Sequence, residues 1–429
     1  MSQYVCSSCG FGSASWYGKC PECQDWNTFK KFSTGTKKSS GRDGVEKKAT
    51  FSALKTRTKQ SSKRIPTLVH ECDRVLGGGF IEGEVILIAG APGVGKSTLL
   101  LKILSHLRTV YVSGEESGEQ ILQRAVRLQV DTSKLLFSSD NEVLGILSAL
   151  EDNKADYDVV VIDSIQTVYS SSIDASMGSV SQIKESASKI VEWAKRSHTI
   201  VVIVGHITKD GDIAGPKTLE HLVDCVLYLE GEPQSSFRIL RAHKNRFGAT
   251  DEVGIFEMKE TGIEEVDKPS VLIDPATQNE SGRALVATIE GSRPLFYEVQ
   301  SLVVPTTLTI PRRVVTGVDS NRLQLLLAVM RRHMGVKLDS YDVYVNIVGG
   351  LSARTPSADL GIIASILSAV EDKPLQAGTV FIGEVGLLGE VRAVQGQHKV
   401  IDNISRFGLK KAFSSIDIQS VKRIKSLVW

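Results

Sequence analysis

A glycine-rich loop contains the residues of clearest chemical meaning. It lies between the apolar run VILIA and the helical run STLLLKIL, which is the context of a P-loop that binds a nucleoside triphosphate. Backbone N–H groups of such a loop surround phosphates, and the N-terminus of the following helix adds partial positive charge. We expect its lysine to reach the β- and γ-phosphates of ATP, and the next serine to bind Mg²⁺. The predicted nucleotide-binding residues are Gly90, Ala91, Pro92, Gly93, Val94, Gly95, Lys96, Ser97 and Thr98.

Acidic residues follow two other β-branched runs. Asp163 ends the run VVVID, where a carboxylate can bind Mg²⁺ together with Ser97; a helix cap or loop residue is the alternative. Glu115 and Glu116 follow the run TVYVS, and ATP hydrolysis needs a base that polarises water. We predict Glu115 as this base and Glu116 as the second choice, with a solvated acidic turn as the alternative.

Four cysteines near the N-terminus have the spacing of a metal site, Cys6-x2-Cys9-x10-Cys20-x2-Cys23. Two CxxC pairs supply four thiolates, which complete the tetrahedral shell of Zn²⁺ and leave no open position for catalysis. The sequence therefore predicts a structural zinc finger, with a redox or disulfide role as the alternative.

Composition and charge fit a globular protein of several domains. The chain has 429 residues, of which 41% are hydrophobic and 23% charged. No apolar run is long enough for a membrane helix and the N-terminus lacks a secretory pattern, so we expect a cytoplasmic protein without a membrane partner. Residues 1–64 hold thirteen Lys and Arg against four Asp and Glu, although the net charge is only +2. Such a basic arm favours nucleic acid as a partner, or is a solvated tail.

The elements that position these residues predict an α/β fold class. Short β-branched runs alternate with helical stretches, which indicates a largely parallel sheet covered on both faces. After it, a second α/β domain is expected, with a strand at 341–347, a helix at 358–370 and a strand pair around 380–394. The predicted strands of the first sheet are 85–89, 110–113, 159–162, 200–204, 223–229 and 237–242. The predicted segments are the zinc finger at 1–29, a basic linker at 30–64, the ATPase domain at 65–268 and the second domain at 269–429.

Several strings resemble known families. The strings LGGGFIEGEVILIAGAPGVGKST, YVSGEES and VVVIDSIQT are similar to the core of the RecA-like ring ATPases. With the four-cysteine finger, the string KNRFG and the C-terminal domain, the whole chain resembles the bacterial RadA/Sms family of DNA-repair proteins. The resemblance implies that Lys244 and Arg246 are cations that act near the nucleotide, across a subunit interface. It also implies that His206, after the run TIVVIVG, is a switch residue that senses the γ-phosphate.

The resemblance further implies partners. Two polar loops, residues 170–182 and residues 208–218 with Lys209 and Lys217, correspond to DNA-facing loops, where lysines would contact phosphates of single-stranded DNA. Neither loop contains an aromatic residue that could stack on a base. The implied function is a DNA-dependent, helicase-like ATPase, a homohexameric ring that processes branched recombination intermediates with the RecA recombinase. A signalling ATPase without a DNA role is one alternative.

The C-terminal segment is similar to the proteolytic domain of Lon. Ser357 matches the nucleophile position of that family, whereas His398 stands where its lysine base is needed and Lys399 follows one residue later. Because a serine peptidase of this type needs the lysine, we expect a Lon-like fold without peptidase activity. Because of this resemblance to Lon, an ATP-dependent protease is the second alternative function.

Overall fold

The computed structural model describes residues 3–6, 12–13, 15–21, 24, 26–32, 64–153, 156–206, 219–231, 235–266, 279–291, 293–348, 353 and 355–429. The chain forms two compact units. The first contains residues 1–67, 78–92 and 99–226, and the second contains residues 68–77, 93–98 and 227–429. The predicted linker lies almost entirely outside the described residues. The longest stretch of the second unit begins at Leu227, whereas the predicted second domain begins at residue 269. The predicted domain boundaries stay predictions.

The N-terminal ribbon is a small antiparallel sheet in the order β2-β1-β3. Its pairing places Tyr4 opposite Ser13 on one side and opposite Lys31 on the other. Among the described ribbon residues, Phe29 is buried against Cys6 and Cys20. A module of about thirty residues can bury little apolar surface, so metal-binding modules of this length commonly depend on their metal. The strands are β1 (Gln3–Cys6), β2 (Gly12–Ser13) and β3 (Phe29–Phe32).

Five parallel strands form the centre of the first unit, in the order β4-β8-β7-β5-β6. The Val- and Ile-rich runs of β4, β7 and β8 are buried almost throughout, as expected for strands covered on both faces. The strands predicted at 85–89, 110–113, 159–162 and 200–204 are confirmed, with ends that shift by one or two residues. The strands are β4 (Val85–Gly90), β5 (Thr109–Ser113), β6 (Leu135–Ser138), β7 (Val159–Asp163) and β8 (Ile200–His206).

Three of the five helices described between residues 70 and 197 begin at polar caps. Ser117 and Gln120 form a reciprocal capping box at the start of one helix, and Ser179 caps another by accepting from Gln182 N. Their buried faces carry Ile and Ala at helical spacing, for example Ile121 and Ala125. The helices are α1 (His70–Leu76), α2 (Lys96–Ile103), α3 (Gly118–Arg127), α4 (Val143–Asp152) and α5 (Val180–Ser197).

In the second unit, three antiparallel strands form a meander that contacts α1. They are β10 (Phe237–Asn245), β11 (Val253–Lys259) and β12 (Gly262–Glu265), and β9 (Cys225–Glu230) precedes them in the chain. The buried carboxylate of Glu71 in α1 accepts a hydrogen bond from Ile255 N at 2.8 Å and pairs with Arg293. The strands predicted at 223–229 and 237–242 are confirmed, whereas β11 and β12 were not predicted.

The C-terminal part of the second unit is built on a six-stranded sheet in the order β15-β16-β14-β13-β17-β20. One apolar helix, α7, lies against β13 and β14, and its first ten residues are all buried. The predicted strand at 341–347 and helix at 358–370 are confirmed. The strands are β13 (Arg283–Glu290), β14 (Arg293–Pro305), β15 (Arg313–Thr316), β16 (Tyr341–Ile347), β17 (Thr379–Phe381), β18 (Glu384–Val385), β19 (Val391–Arg392) and β20 (Lys411–Phe413), and the helices are α6 (Ser320–Val329), α7 (Asp359–Glu371), α8 (Gln397–Ile401) and α9 (Ile424–Val428).

None of the described helices combines the length and the hydropathy that a membrane crossing requires.

Candidate functional site at the carboxyl edge of the parallel sheet

The P-loop begins where β4 ends. Gly90 is the last residue of β4 and is paired with His206, the last residue of β8, so the loop leaves the sheet at its carboxyl edge. Gly93 and Gly95 have φ angles of 75° and 111°, a region that side-chain-bearing residues rarely adopt. Lys96 is buried and begins α2, and Ser97 follows it in the first turn. The loop is therefore a glycine-dependent turn into a helix N-terminus, as the motif requires.

Arg238 holds the backbone of this loop. Its Nε donates to Val94 O at 3.1 Å, and its Nη1 donates to Ser235 O and Phe237 O. A peptide unit is planar, with its C=O and N–H pointing in opposite directions. By fixing the carbonyl of Val94, Arg238 therefore also fixes the direction of the Gly95 N–H. No sequence signal indicated this residue, because it follows the loop by 144 positions.

Asp163 ends β7 as a buried carboxylate. The hydroxyl of Tyr111 in β5 donates to Asp163 Oδ2 at 2.5 Å. The parallel pairing of β5 with β7 puts Ser113 opposite Asp163, so both strands end at the same edge. One carboxylate oxygen is thus oriented by the tyrosine, which is the kind of support that a magnesium ligand needs.

Glu115 is oriented by two side chains from neighbouring strands. It lies in the turn after β5, and its Oε1 accepts a hydrogen bond from the hydroxyl of Ser164, just after β7. The Nε2 of His206 is 3.1 Å from Oε1 and 3.2 Å from Oε2. The side chain of Glu115 remains 36% exposed. The carboxylate is therefore positioned and still accessible, as a residue that activates water must be.

Glu116 has a different arrangement from its neighbour. Both of its carboxylate oxygens accept hydrogen bonds of 2.5 Å from the guanidinium of Arg124 in α3. The hydrogen bond to this carboxylate raises the pKa of Arg124. Because both oxygens are occupied by this guanidinium, the carboxylate of Glu116 is less available to bind a water molecule. The geometry therefore favours Glu115 over Glu116 for base catalysis.

Lys244 and Arg246 lie at the far end of β10. Lys244 belongs to the strand, and Arg246 is exposed in the turn after it. Between them, Asn245 donates to Val75 O at 3.2 Å and accepts from Phe247 N at 2.9 Å, which anchors the turn on α1. Arg238, which bonds to the P-loop, precedes Lys244 by six residues of extended chain, roughly 20 Å. Along β10, the two cations are therefore remote from the P-loop contact of the same chain.

The first predicted DNA loop is folded around one glutamine. The side chain of Gln182 donates to Ser170 O, Ile173 O and Ala175 O and accepts from Ser170 N. These bonds give residues 170–182 a defined shape. The second predicted loop, residues 208–218 with Lys209 and Lys217, lies outside the described residues.

Two of the four predicted zinc ligands are described. Cys6 and Cys20 are both buried in the ribbon core, and the Sγ of Cys6 lies 3.1 Å from Thr28 Oγ1. Cys9 and Cys23 lie outside the described residues. Two neighbouring buried thiols fit the thiolate chemistry that a structural Zn²⁺ requires.

A cavity in the C-terminal part contains the residues of the Lon comparison. Its volume is about 630 Å³, and its lining includes Ser357, His398 and Lys399. Ser357 is buried, and its hydroxyl is 2.8 Å from the hydroxyl of Thr355. The fold thus brings the three predicted residues to one cavity, with a hydroxyl as the hydrogen-bond partner of the serine.

Two family models match segments of the chain. Residues 4–31 match a family model described as a rubredoxin metal-binding domain, and residues 65–270 match the KaiC ATPase model. The fold and the site define a RecA-like ATPase with an N-terminal zinc ribbon.

Relatives cover nearly the whole chain. The DNA repair protein RadA of Halalkalibacterium halodurans is 43% identical over 96% of this chain and 91% of its own. That of Rickettsia bellii is 43% identical over 96% of this chain and 93% of its own, and that of Haemophilus influenzae is 41% identical over 95% and 91%. The chain belongs to the family of the DNA repair protein RadA.

Solved structures with similar folds cover about half of the chain. The RadB recombinase covers 47% of this chain and 99% of its own, with 23% identity and a TM-score of 0.38. A KaiC-like protein of Pyrococcus horikoshii covers 48% of this chain and 99% of its own, with 18% identity and a TM-score of 0.40.

Proposed function

We propose that this protein is a DNA-dependent ATPase of recombinational repair, a ring-forming motor on single-stranded DNA that processes branched intermediates with the RecA recombinase. The observation that carries the proposal is the separation of the ATPase groups along the chain. Glu115 and Asp163 are oriented at the carboxyl edge of the parallel sheet, whereas Lys244 and Arg246 end a strand that leads away from the P-loop contact. Such a division suits an active site completed by a second subunit.

The groups at the edge have distinct proposed roles in hydrolysis. Lys96 and the N–H groups of the P-loop bind the β- and γ-phosphates, while Ser97 and Asp163 hold the Mg²⁺ that neutralises the triphosphate. Glu115 orients and polarises the attacking water. His206 is hydrogen-bonded to Glu115 and lies two residues before the segment 208–218 in the chain, so it can link the state of the nucleotide to the predicted DNA loop.

Lys244 and Arg246 are proposed to serve the nucleotide of the next subunit. Cations stabilise the negative charge that develops on the γ-phosphoryl group. Supplying them from a neighbour makes hydrolysis depend on assembly, which supports a closed homohexameric ring. Asn245 fixes the turn that presents them.

DNA is the proposed polymer in the ring. The curated relatives are DNA repair proteins, and residues 1–64 have a surplus of nine positive charges. Cationic contacts to phosphates are independent of base sequence, as a motor on single-stranded DNA requires. Cys6, Cys9, Cys20 and Cys23 are proposed to hold a structural Zn²⁺ that folds the ribbon.

The C-terminal segment is proposed to be a Lon-like domain without peptidase activity. Its cavity contains Ser357, whose hydroxyl is hydrogen-bonded to that of Thr355, together with His398 and Lys399. The resemblance to Lon implies that His398, and not Lys399, stands at the position of the lysine base. We assign this segment to ring assembly and DNA contact.

A mixed-subunit experiment tests the shared active site. Lys96→Ala removes the phosphate-binding lysine and Arg246→Ala removes the cation supplied to the neighbour, so each variant alone is expected to be inactive. In an equal mixture, about a quarter of the interfaces pair an intact P-loop with an intact Arg246, and DNA-stimulated ATP turnover returns. A mixture as inactive as the separate variants would show that both residues act within one subunit. Displacement of a labelled strand from a forked duplex then tests the motor.

A further inference from the structure

Three aromatic rings among the described residues of the N-terminal ribbon are exposed. Trp16 is 52% exposed, Tyr17 is 46% exposed and Trp26 is 71% exposed. Tryptophan is usually among the more buried residues, and large exposed apolar groups that cluster mark interaction sites. We refer to Trp16, Tyr17 and Trp26 as the ribbon aromatic surface.

The rings are held in place by the ribbon backbone. Trp16 Nε1 donates to Phe29 O at 3.1 Å, and the ring of Tyr17 packs edge-on against Phe29 with centroids 5.8 Å apart. A Cβ atom on Gly18 would lie 3.6 Å from Trp16 and 4.0 Å from Trp26, so the two indoles flank this glycine. The surface is therefore ordered before any partner arrives, which lowers the entropic cost of binding.

Positive charge adjoins the aromatic rings. Lys19 is paired with Trp26 in an antiparallel bridge, and its Nζ lies 5.8 Å from the indole centroid. The chain that follows the ribbon, residues 33–64, has ten Lys and Arg against two Asp and Glu. A polyanion with flat aromatic faces complements both features, and single-stranded nucleic acid is such a ligand.

We propose that the ribbon aromatic surface binds the bases of single-stranded DNA by stacking, with Trp26 as its principal residue. This inference rests on the proposed function, in which single-stranded DNA is the polymer bound. It adds a contact that the two predicted DNA loops lack, because residues 170–182 and 208–218 contain no aromatic side chain. Stacking on tryptophan tolerates every base, since each base has a π-face.

Affinity measurements on the full-length protein with a fluorescent oligo(dT) test the stacking contact. Trp26→Leu is expected to weaken binding by about 5- to 100-fold, while Trp26→Phe keeps a ring and retains most of the affinity. The slope of log Kd against log salt stays unchanged in both variants, because no phosphate contact is lost. Trp429→Leu, which removes an exposed tryptophan far along the chain, is the matched control and binds like the wild type. Zinc content checks that each variant keeps its ribbon.

Intrinsic fluorescence tests the same surface without a change in the ribbon. The chain has four tryptophans, and Trp193 is buried, so Trp429→Leu leaves Trp16 and Trp26 as the exposed emitters. Oligo(dT) is expected to quench their emission and to protect them from iodide. Unchanged emission and unchanged iodide quenching when DNA is bound would overturn the inference.

The outcomes separate this inference from the proposed function. Wild-type affinity of Trp26→Leu for DNA, with zinc retained, would refute stacking by the ribbon and point to a protein partner for this surface. If the wild-type protein did not bind oligo(dT) at low salt, the proposed DNA-dependent function itself would fail.

Discussion

The two edges of the parallel sheet both carry carboxylates, but in opposite surroundings. At the carboxyl edge, Glu115 is 36% exposed and is oriented by Ser164 and His206. At the amino edge, Glu84 is 1% exposed and lies before β4, and Asp224 is equally buried before β9. The same residue types are thus partly exposed at one edge, where a role in chemistry is proposed, and buried at the other, where they bind the backbone.

The amino edge uses its carboxylates to hold the backbone. Glu84 Oε2 accepts a hydrogen bond from Ile81 N at 3.0 Å, and Asp224 Oδ2 accepts one from Val85 N at 3.0 Å and pairs with Lys195. Burial, with a smaller contribution from the nearby charge of Asp224, raises the pKa of Glu84 to about 7. Near neutral pH, Glu84 is therefore in exchange between its protonated and ionised forms.

The largest expected effect is at the carboxyl edge. Glu115→Gln keeps the size of the side chain but removes the base, so kcat for ATP should fall by about 10²- to 10⁴-fold while nucleotide binding persists. Glu116→Gln is the matched control, because its carboxylate is already engaged by Arg124. Single-turnover hydrolysis and binding of a fluorescent ATP analogue measure the two quantities. A larger loss in Glu116→Gln than in Glu115→Gln would reverse the assignment.

A substitution of Glu84 at the amino edge should change the stability of the protein and not its ATP turnover. Glu84 has a folded-state pKa near 7 against 4.5 for an ordinary glutamate, so the folded state binds the extra proton between these values. The free energy of unfolding should therefore fall as pH rises from about 4.5 to 7, by about 3 kcal/mol. Glu84→Gln should abolish this decline and be the more stable protein at pH 8.

Unfolding curves of both proteins across this pH range, followed by tryptophan emission, measure the effect. Glu82→Gln changes an exposed neighbour and should leave the pH dependence as in the wild type. If the free energy of unfolding of Glu84→Gln declines with pH as that of the wild type does, the ionisation of Glu84 is not the cause of the decline.

A smaller effect is expected from the residue that supports the P-loop. Arg238→Gln removes the charged hydrogen bond to Val94 O, and the KM for ATP should rise about tenfold with less change in kcat. Arg238→Lys should recover part of the loss. The control is Arg241→Gln on the same strand, whose Nε bonds to Glu230. If Arg238→Gln and Arg241→Gln raised the KM for ATP equally, the effect would come from a change in β10 and not from the lost hydrogen bond to Val94 O.

The smallest effect is expected in the C-terminal cavity. Ser357→Ala should leave ATP turnover unchanged, because this serine is bonded to Thr355 and has no proposed role in hydrolysis. Casein turnover should be absent from both proteins. Peptide cleavage in the wild type that disappears in Ser357→Ala would instead make this cavity a second active site.

Local patterns in the sequence predict the P-loop and the acidic candidates of this site. The P-loop glycines and the β-branched run before Asp163 are contiguous, and their context indicates their role. The contacts that select Glu115 could not be predicted, since Ser164 and His206 are 49 and 91 residues away. They depend on the strand order β8-β7-β5, which periodicity does not specify. The short strand β6 was missed for a related reason: its two central residues, Leu136 and Phe137, are exposed, so it lacks a buried pattern.

The most direct test of the account is steady-state ATP hydrolysis with and without single-stranded DNA, at two salt concentrations. The account predicts that DNA stimulates turnover, that higher salt weakens the stimulation and that Lys96→Ala abolishes turnover under every condition. Turnover that is indifferent to DNA at both salt concentrations would contradict a DNA-dependent ATPase and favour a signalling role for the same site.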